Sequence, residues 1–312
     1  MPDLKGTLTP VEVTKSYLLS KCEYFTDVQL WPITNELNVN LWLSNFSDDE
    51  MGHAVQLLNS FMYFSERLCN AMFKAAFQTL SQLLRRPEDP FMAAQTAWQV
   101  FMNNVIISYI TGENPSVTDS GLLFARKARQ LLGIAEEQIL SPENALSVLL
   151  SRVPRPVVFV DDFVGSGNQF ITTWHRSIKL LQGVSFSFER ISQIRGTTFY
   201  YCPLICTQYG LEEIQKWCPR VVVNPAHILP TRYNALDADS LIWPANLQPT
   251  AENFLRDASK RAGIPETDGG EDDWRGFHKL GLTLAFFHSV PDATLPLFYW
   301  EGNGWKPLLR RT

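Results

Sequence analysis

The sequence predicts an α/β protein with a mainly parallel sheet, an N-terminal helical module and an irregular C-terminal hood. Three observations carry that prediction. Apolar, largely β-branched or aromatic runs at residues 105–110, 157–160, 198–206 and 221–223 have the length of buried strands. Helical patterns separate these runs, and strands alternating with helices imply right-handed crossovers and parallel pairing. Before residue 104 the strong periodic patterns are all helical.

The helical module spans residues 1–103. Ser47, followed by Asp48, Asp49 and Glu50, reads as a capping box that starts a helix over residues 48–61. A second start at Ser65 and Glu66 opens a stripe at helical spacing: Phe64, Leu68, Met72, Ala75, Ala76, Leu80 and Leu83. Arg85-Arg86-Pro87 ends it, and Pro90 begins a third helix through Met102. The first 40 residues are mixed. The aromatic and methionine content of the module is most simply core, with a partner-binding groove as the other reading.

The α/β domain takes residues 104–312, its last part, from about 225, forming the hood. After the strand at 105–110, residues 111–121 form a turn-rich loop and residues 122–132 a helix closed by Gly133. Ser141 caps a helix to residue 150. The strand at 157–160 then delivers Asp161 and Asp162 to its carboxyl end, and a loop over residues 165–169 leads into a helix over 170–181. A strand at 198–206, a helix at 211–217 and a strand at 221–223 follow. The remainder is loop-like apart from a helix at 252–262 and a strand at 282–288.

Composition bounds the function. The chain has 312 residues, 45% hydrophobic and 19% charged, enough for a sizeable core. A net charge of −5 argues against a dedicated nucleic-acid binder, and no direct nucleic-acid binding is expected. No apolar run reaches the roughly 20 residues a bilayer span needs, and the start M-P-D-L-K-G lacks an apolar signal core, so no membrane role and a cytoplasmic location are expected. Five cysteines show no disulfide spacing. Cys202, Cys206, Cys218 and His227 make an imaginable zinc set, but residues four apart on a strand lie roughly 13 Å apart. Buried reduced thiols are the better reading.

The stretch V-V-F-V-D-D-F-V-G-S-G-N-Q, residues 157–169, concentrates the chemistry. Gly165 and Gly167 let the backbone approach an anion, and with Ser166, Asn168 and Gln169 they precede a helix whose first N–H groups and dipole favour phosphate. Crevices outside the carboxyl ends of such strands are where α/β folds bind ligands. Filling the space at Gly167, as in Gly167→Val, is expected to block the phosphate while leaving the fold largely intact.

These 13 residues resemble the ribose-phosphate motif of type I phosphoribosyltransferases. Ser166-Gly167 stands at that family's Thr-Gly position, and Gln169 departs from its usual Thr or Ser. The resemblance implies that Asp161 and Asp162 bind the ribose hydroxyls of phosphoribosyl pyrophosphate or a nucleotide, with Mg²⁺ held through water, and that residues 165–169 grip the 5′-phosphate. It places a pyrophosphate loop at Ser120 and Gly121, with Arg126 the nearest cation. The ending F-H-x-x-P-x-x-T-L-P-x-x-x-W, with N-F-S-D-D-E, is similar to phosphoribosyltransferase-like proteins of bacterial conflict systems, including retron-type anti-phage modules. That likeness implies a hood of His288, Thr294 and Trp300. It also implies a partner, such as a reverse transcriptase–DNA complex or another defence protein, on the leading helices. Two parts of the usual machinery are missing: residues 133–152 hold no long basic flap, and residues 111–121 contain no Lys or Arg. Three readings follow: an enzyme acting on a nucleotide or phosphoribosyl donor, a nucleotide sensor, and an interaction scaffold.

Overall fold

The computed structural model describes residues 13–33, 36–111, 120–151, 154–180, 183–193 and 196–311. In chain order the elements are α1 (Lys15–Asp27), α2 (Val39–Leu43), α3 (Met51–Asn59), β1 (Met62–Phe64), α4 (Glu66–Leu83), α5 (Phe91–Asn104), β2 (Ile106–Tyr109), α6 (Ser120–Leu132), α7 (Pro142–Ser151) and β3 (Val157–Val164). There follow α8 (Asn168–His175), β4 (Ile178–Lys179), β5 (Ser185–Phe186), α9 (Phe188–Ile191), β6 (Phe199–Thr207), α10 (Gln208–Trp217), β7 (Val221–Val223), β8 (His227–Leu229), α11 (Gln248–Ala262) and β9 (Leu284–Phe286). No helix among the described residues is long and apolar enough to cross a membrane.

The chain divides into two compact units. One runs from Glu66 to Thr231; the other joins the residues up to Ser65 with those from Arg232 onward. These boundaries differ from the expected division at residue 103. The physical reason lies in α4, whose buried residues pack into the sheet-bearing unit, and in Phe101, the one buried residue of α5, which joins it there. Asn224 Nδ2 donates to the Ala76 carbonyl at 2.7 Å, and Phe101 of α5 meets Tyr200 of β6 edge-on with centroids 6.0 Å apart.

Within the unit from Glu66 to Thr231, a parallel sheet runs in the order β2-β3-β6-β7, and β8 also pairs with β6. Val221–Val223 pairs with the first third of β6 and His227–Leu229 with the last. Asn224 N–H and Ala226 N–H donate to the carbonyls of Tyr201 and Pro203, so the edge continues between them. β8 lies in a stretch that reads as loop, because Pro225 interrupts the apolar run and His227 is exposed. Every residue of β6 is buried, as expected for a central parallel strand covered on both faces. One face carries a cluster of aromatic rings: Phe159, Phe170, Trp174, Phe188, Phe199 and Tyr201.

β3 is longer than the sequence predicts. Pairing with β6 carries it through Asp161 to Val164, placing both acids inside the sheet, not in a turn beyond it. α8 is shorter: it ends at His175, and the apolar residues beyond it turn into the β4–β5 hairpin, where Leu180 N–H donates to Val184 O and Gly183 takes φ +74°.

The other unit is packed around Trp42, whose indole donates to the Leu297 carbonyl at 2.7 Å and stacks on Phe298 with centroids 5.4 Å apart. Trp305 donates to the same carbonyl at 2.9 Å. β1 pairs in parallel with β9. The helix expected over residues 48–61 starts only at Met51; Glu50 nonetheless reaches back to accept the Ser47 N–H at 3.0 Å. α1 lies in the stretch that reads as mixed, because its buried residues are only Leu18 and Cys22 and its amphipathic signal is weak.

Candidate functional site

The site is built at the carboxyl end of β3. Val164 is the last strand residue, Gly165 to Gly167 form the turn, and α8 begins at Asn168. Gly167 has φ +81°, the left-handed region that glycine enters at no steric cost. Its carbonyl accepts the Ile171 N–H at 3.0 Å, closing the first helical turn. The geometry of a helix leaves the N–H groups of Asn168, Gln169 and Phe170 without intrahelical acceptors. Ser166 Oγ accepts from Asn168 N–H at 3.4 Å. Asn168 and Gln169 are exposed, while Ser166 is buried. The five expected phosphate-site residues are therefore contiguous at one helix N-terminus, which suits an anion.

α10 supports this turn from below. The Thr207 hydroxyl donates to the Gly165 carbonyl and accepts the Gly210 N–H at 2.9 Å. Gly210 lies against the Gly165 carbonyl so closely that a Cβ there would overlap it. A Cβ at Gly167 would stand 2.9 Å from Ile214 Cγ1 and 3.0 Å from the Gly210 carbonyl. Gly167 is thus required by the packing of the turn on α10. The expectation that Gly167→Val leaves the fold largely intact is corrected, because the added side chain meets the protein before any ligand. Neither Thr207 nor Gly210 could be singled out in the sequence, since their role depends on contact with a loop some 40 residues earlier.

The two acids have different surroundings. Asp161 is 3% exposed. Its Oδ1 accepts the Asp162 N–H at 3.0 Å and its Oδ2 accepts the Tyr201 hydroxyl at 2.9 Å. Burial, reinforced by the Asp162 charge, pushes the Asp161 carboxyl well above the usual carboxylate range. Tyr201 is itself buried under the Phe170 ring, centroids 4.2 Å apart. Asp162 is also buried, and its charge is felt by Cys69 of α4, whose thiol burial first and then Asp162 push up to about 12.

This arrangement bears on metal binding. Among the described residues no group of three or more His, Cys, Asp or Glu could hold a metal ion, the imagined zinc set included. Both oxygens of Asp161 are already accepting, and a carboxyl held toward its neutral form is a weak ligand for a hard cation. The residues therefore do not fit a Mg²⁺ held by both aspartates.

The remaining expected residues lie on other elements. Gly121, in the first turn of α6, packs on the end of β2, where a Cβ would stand 3.0 Å from Ile110 N and O. Arg126 is exposed on α6. Ser120 begins that helix, and its side chain lies outside the described residues, as does most of the loop before it. Two cations missed in the sequence are held within the same unit. Arg176, the C-cap of α8, donates to the Thr111 hydroxyl at 2.8 Å, while Thr173 donates to the Thr111 carbonyl at 3.1 Å. Lys127, 6% exposed, donates to Glu66 at 2.7 Å and Asn70 at 2.9 Å. Its neighbour Arg126 drew attention instead because helix register cannot say which of two adjacent cations turns inward. His288, Thr294 and Trp300 all belong to the unit that includes the chain from Arg232 onward. There Thr294 is fully buried and donates to the Leu284 carbonyl at 2.7 Å, and His288 lies between the rings of Phe286 and Phe287.

A parallel sheet whose strand bearing Asp161 and Asp162 runs through a glycine turn into a helix is consistent with a phosphoribosyltransferase-like fold. The chain belongs to the family described as PRTase-CE, whose model matches residues 39–311. No curated protein matches it.

Proposed function

We propose that the chain binds the ribose-phosphate end of a nucleotide or of phosphoribosyl pyrophosphate and acts on it as an effector in a bacterial anti-phage system of the retron type. The observation that carries the binding is the run from β3 through Gly165, Ser166 and Gly167 into α8, which sets a helix N-terminus with exposed Asn168 and Gln169 at the carboxyl end of a parallel strand. In this reading Asn168 and Gln169 hold the phosphate edge. Asp162 takes the ribose hydroxyls, and Asp161 stands behind it, fixing its backbone. The defence role rests on the likeness of residues 157–169 and of the chain's ending to conflict-system proteins.

A second reading, a sensor that binds without turnover, is favoured by one feature. Between α6 and α7 the described residues form only a short 3-10 turn at Glu136–Gln138, with no flap to close over a leaving pyrophosphate. Chromatography of nucleotide pools incubated with the protein separates the two. The effector reading expects a product that appears with wild type and is lost with Asp162→Asn. Pools left untouched by both proteins, with binding intact, would leave the sensor.

A further inference from the structure

We infer that Thr207 is a positioning residue for the turn between β3 and α8: its hydroxyl orients the Gly165–Ser166 peptide so that the Ser166 N–H, and not the Gly165 carbonyl, faces the phosphate of the ligand. This rests on the ribose-phosphate reading of the turn and names the group that makes the turn a donor.

Thr207 is held where it can act on the turn. It is the last residue of β6, is 4% exposed, and pairs with Leu229 of β8, so its backbone belongs to the sheet. A β-branched side chain has few χ1 choices there. Its two partners fix the direction of the hydroxyl proton. The Gly210 N–H can only donate, and it reaches the Thr207 oxygen at 2.9 Å. The Gly165 carbonyl can only accept, and it takes the single hydroxyl proton at an oxygen–oxygen distance of 2.5 Å. A hydroxyl that accepts one hydrogen bond donates another more strongly. As the N-cap of α10, Thr207 needs only to accept; donating to Gly165 is a second task that capping does not require.

The effect is felt on the far side of the peptide. In a planar trans peptide the carbonyl and the following N–H point in opposite directions. With the Gly165 carbonyl drawn toward Thr207, the Ser166 N–H points away from it. Glycine at 165 has no Cβ to disfavour the flipped peptide, so the choice falls to the contact with Thr207. In the flipped arrangement a carbonyl oxygen would meet the anion, exchanging a donor for the negative end of a dipole. Gly210 completes the seat. A Cβ there would overlap the Gly165 carbonyl, so its absence lets that carbonyl settle against the first turn of α10.

Titration of the full chain with ribose 5-phosphate, followed by heteronuclear NMR of isotopically labelled serine, tests the inference. The Ser166 amide, assigned by loss of its signal in Ser166→Ala, is expected to move downfield in the wild type as phosphate accepts its proton. Thr207→Val keeps the shape and removes the donor. It is expected to abolish that shift and to weaken ribose 5-phosphate about tenfold, the scale of one hydrogen bond to a charged group. Thr207→Ser is expected to restore the shift, with affinity within about twofold of wild type. Loss of the cap alone would lower stability in Thr207→Val and leave the Ser166 shift in place. Should that variant fail to fold, the wild-type shift still decides. A wild type that binds ribose 5-phosphate with its Ser166 amide unmoved overturns the inference and leaves the ribose-phosphate reading standing. A folded Thr207→Val variant of wild-type affinity does the same. A wild type with no affinity for ribose 5-phosphate overturns both.

Discussion

The Tyr201 hydroxyl donates to Asp161 Oδ2 at 2.9 Å, across the β3–β6 pair and beneath the Phe170 ring. This bond and the Asp162 N–H leave Asp161 as an interior anchor. Tyr201→Phe removes the donor and leaves a buried acceptor unsatisfied, which costs about 1–3 kcal/mol. Urea denaturation is expected to show that loss, while affinity for a phosphoribosyl ligand stays within about threefold, under 0.7 kcal/mol. A variant of unchanged stability would mean that the bond is not maintained in solution.

Gly210→Ala is expected to run against helix propensity. In an unobstructed helix the change stabilises by about 1 kcal/mol. Here the new Cβ overlaps the Gly165 carbonyl, so the variant should be less stable and should bind phosphate more weakly as the turn is displaced. Thermal melting and a phosphate titration read the two effects together.

Asp273 supplies a pH test within the unit that includes the chain from Arg232 onward. It is fully buried and accepts from the N–H groups of Thr267, Gly269 and Arg275 and from the Arg275 guanidinium, at 2.8–3.0 Å. Burial alone would raise its pKa; the guanidinium and the three backbone donors outweigh burial and hold it well below the usual range. A carboxyl depressed in the folded state contributes stability above its unfolded pKa, about 3.9, and that contribution is lost as pH falls toward the folded value. Asp273→Asn should therefore cost about 3 kcal/mol at pH 7, with the gap from wild type narrowing below about pH 4. A gap independent of pH would contradict the assignment.

The five cysteines are buried and form no disulfide. Burial raises Cys22 to about 11, holds Cys206 at about 12, and pushes Cys202 higher still. Because the thiolate is the reactive form, Ellman's reagent at pH 8 should label none in the folded chain and all in urea. Fast labelling of the native protein would show an opening that this packing does not contain.

The sequence carried much of the sheet and little of the support beneath it. Runs such as Val157–Val160 announce themselves because a strand buried on both faces must be continuously apolar. The glycine turn after β3 was legible for the same kind of reason, since glycines, a hydroxyl and a helix start fall within five residues. Asp161 could not be told from Asp162, because their difference lies in Tyr201, which is 40 residues away in sequence and adjacent only once β6 pairs with β3. β8 and α1 were hidden by weak or interrupted apolar patterns. The grouping of the chain's two ends into one unit depends on contacts such as Trp42 with Leu297, separated by 255 positions.

Isothermal titration of the full chain with phosphoribosyl pyrophosphate tests the central claim most directly, with Asp162→Asn and Asp161→Asn beside the wild type. The account predicts that the wild type binds and that Asp162→Asn weakens affinity at least tenfold, about 1.4 kcal/mol. Asp161→Asn should change affinity less than that while lowering stability. Absence of binding by the wild type, or equal affinity for wild type and Asp162→Asn, would contradict a ribose-phosphate site at the end of β3.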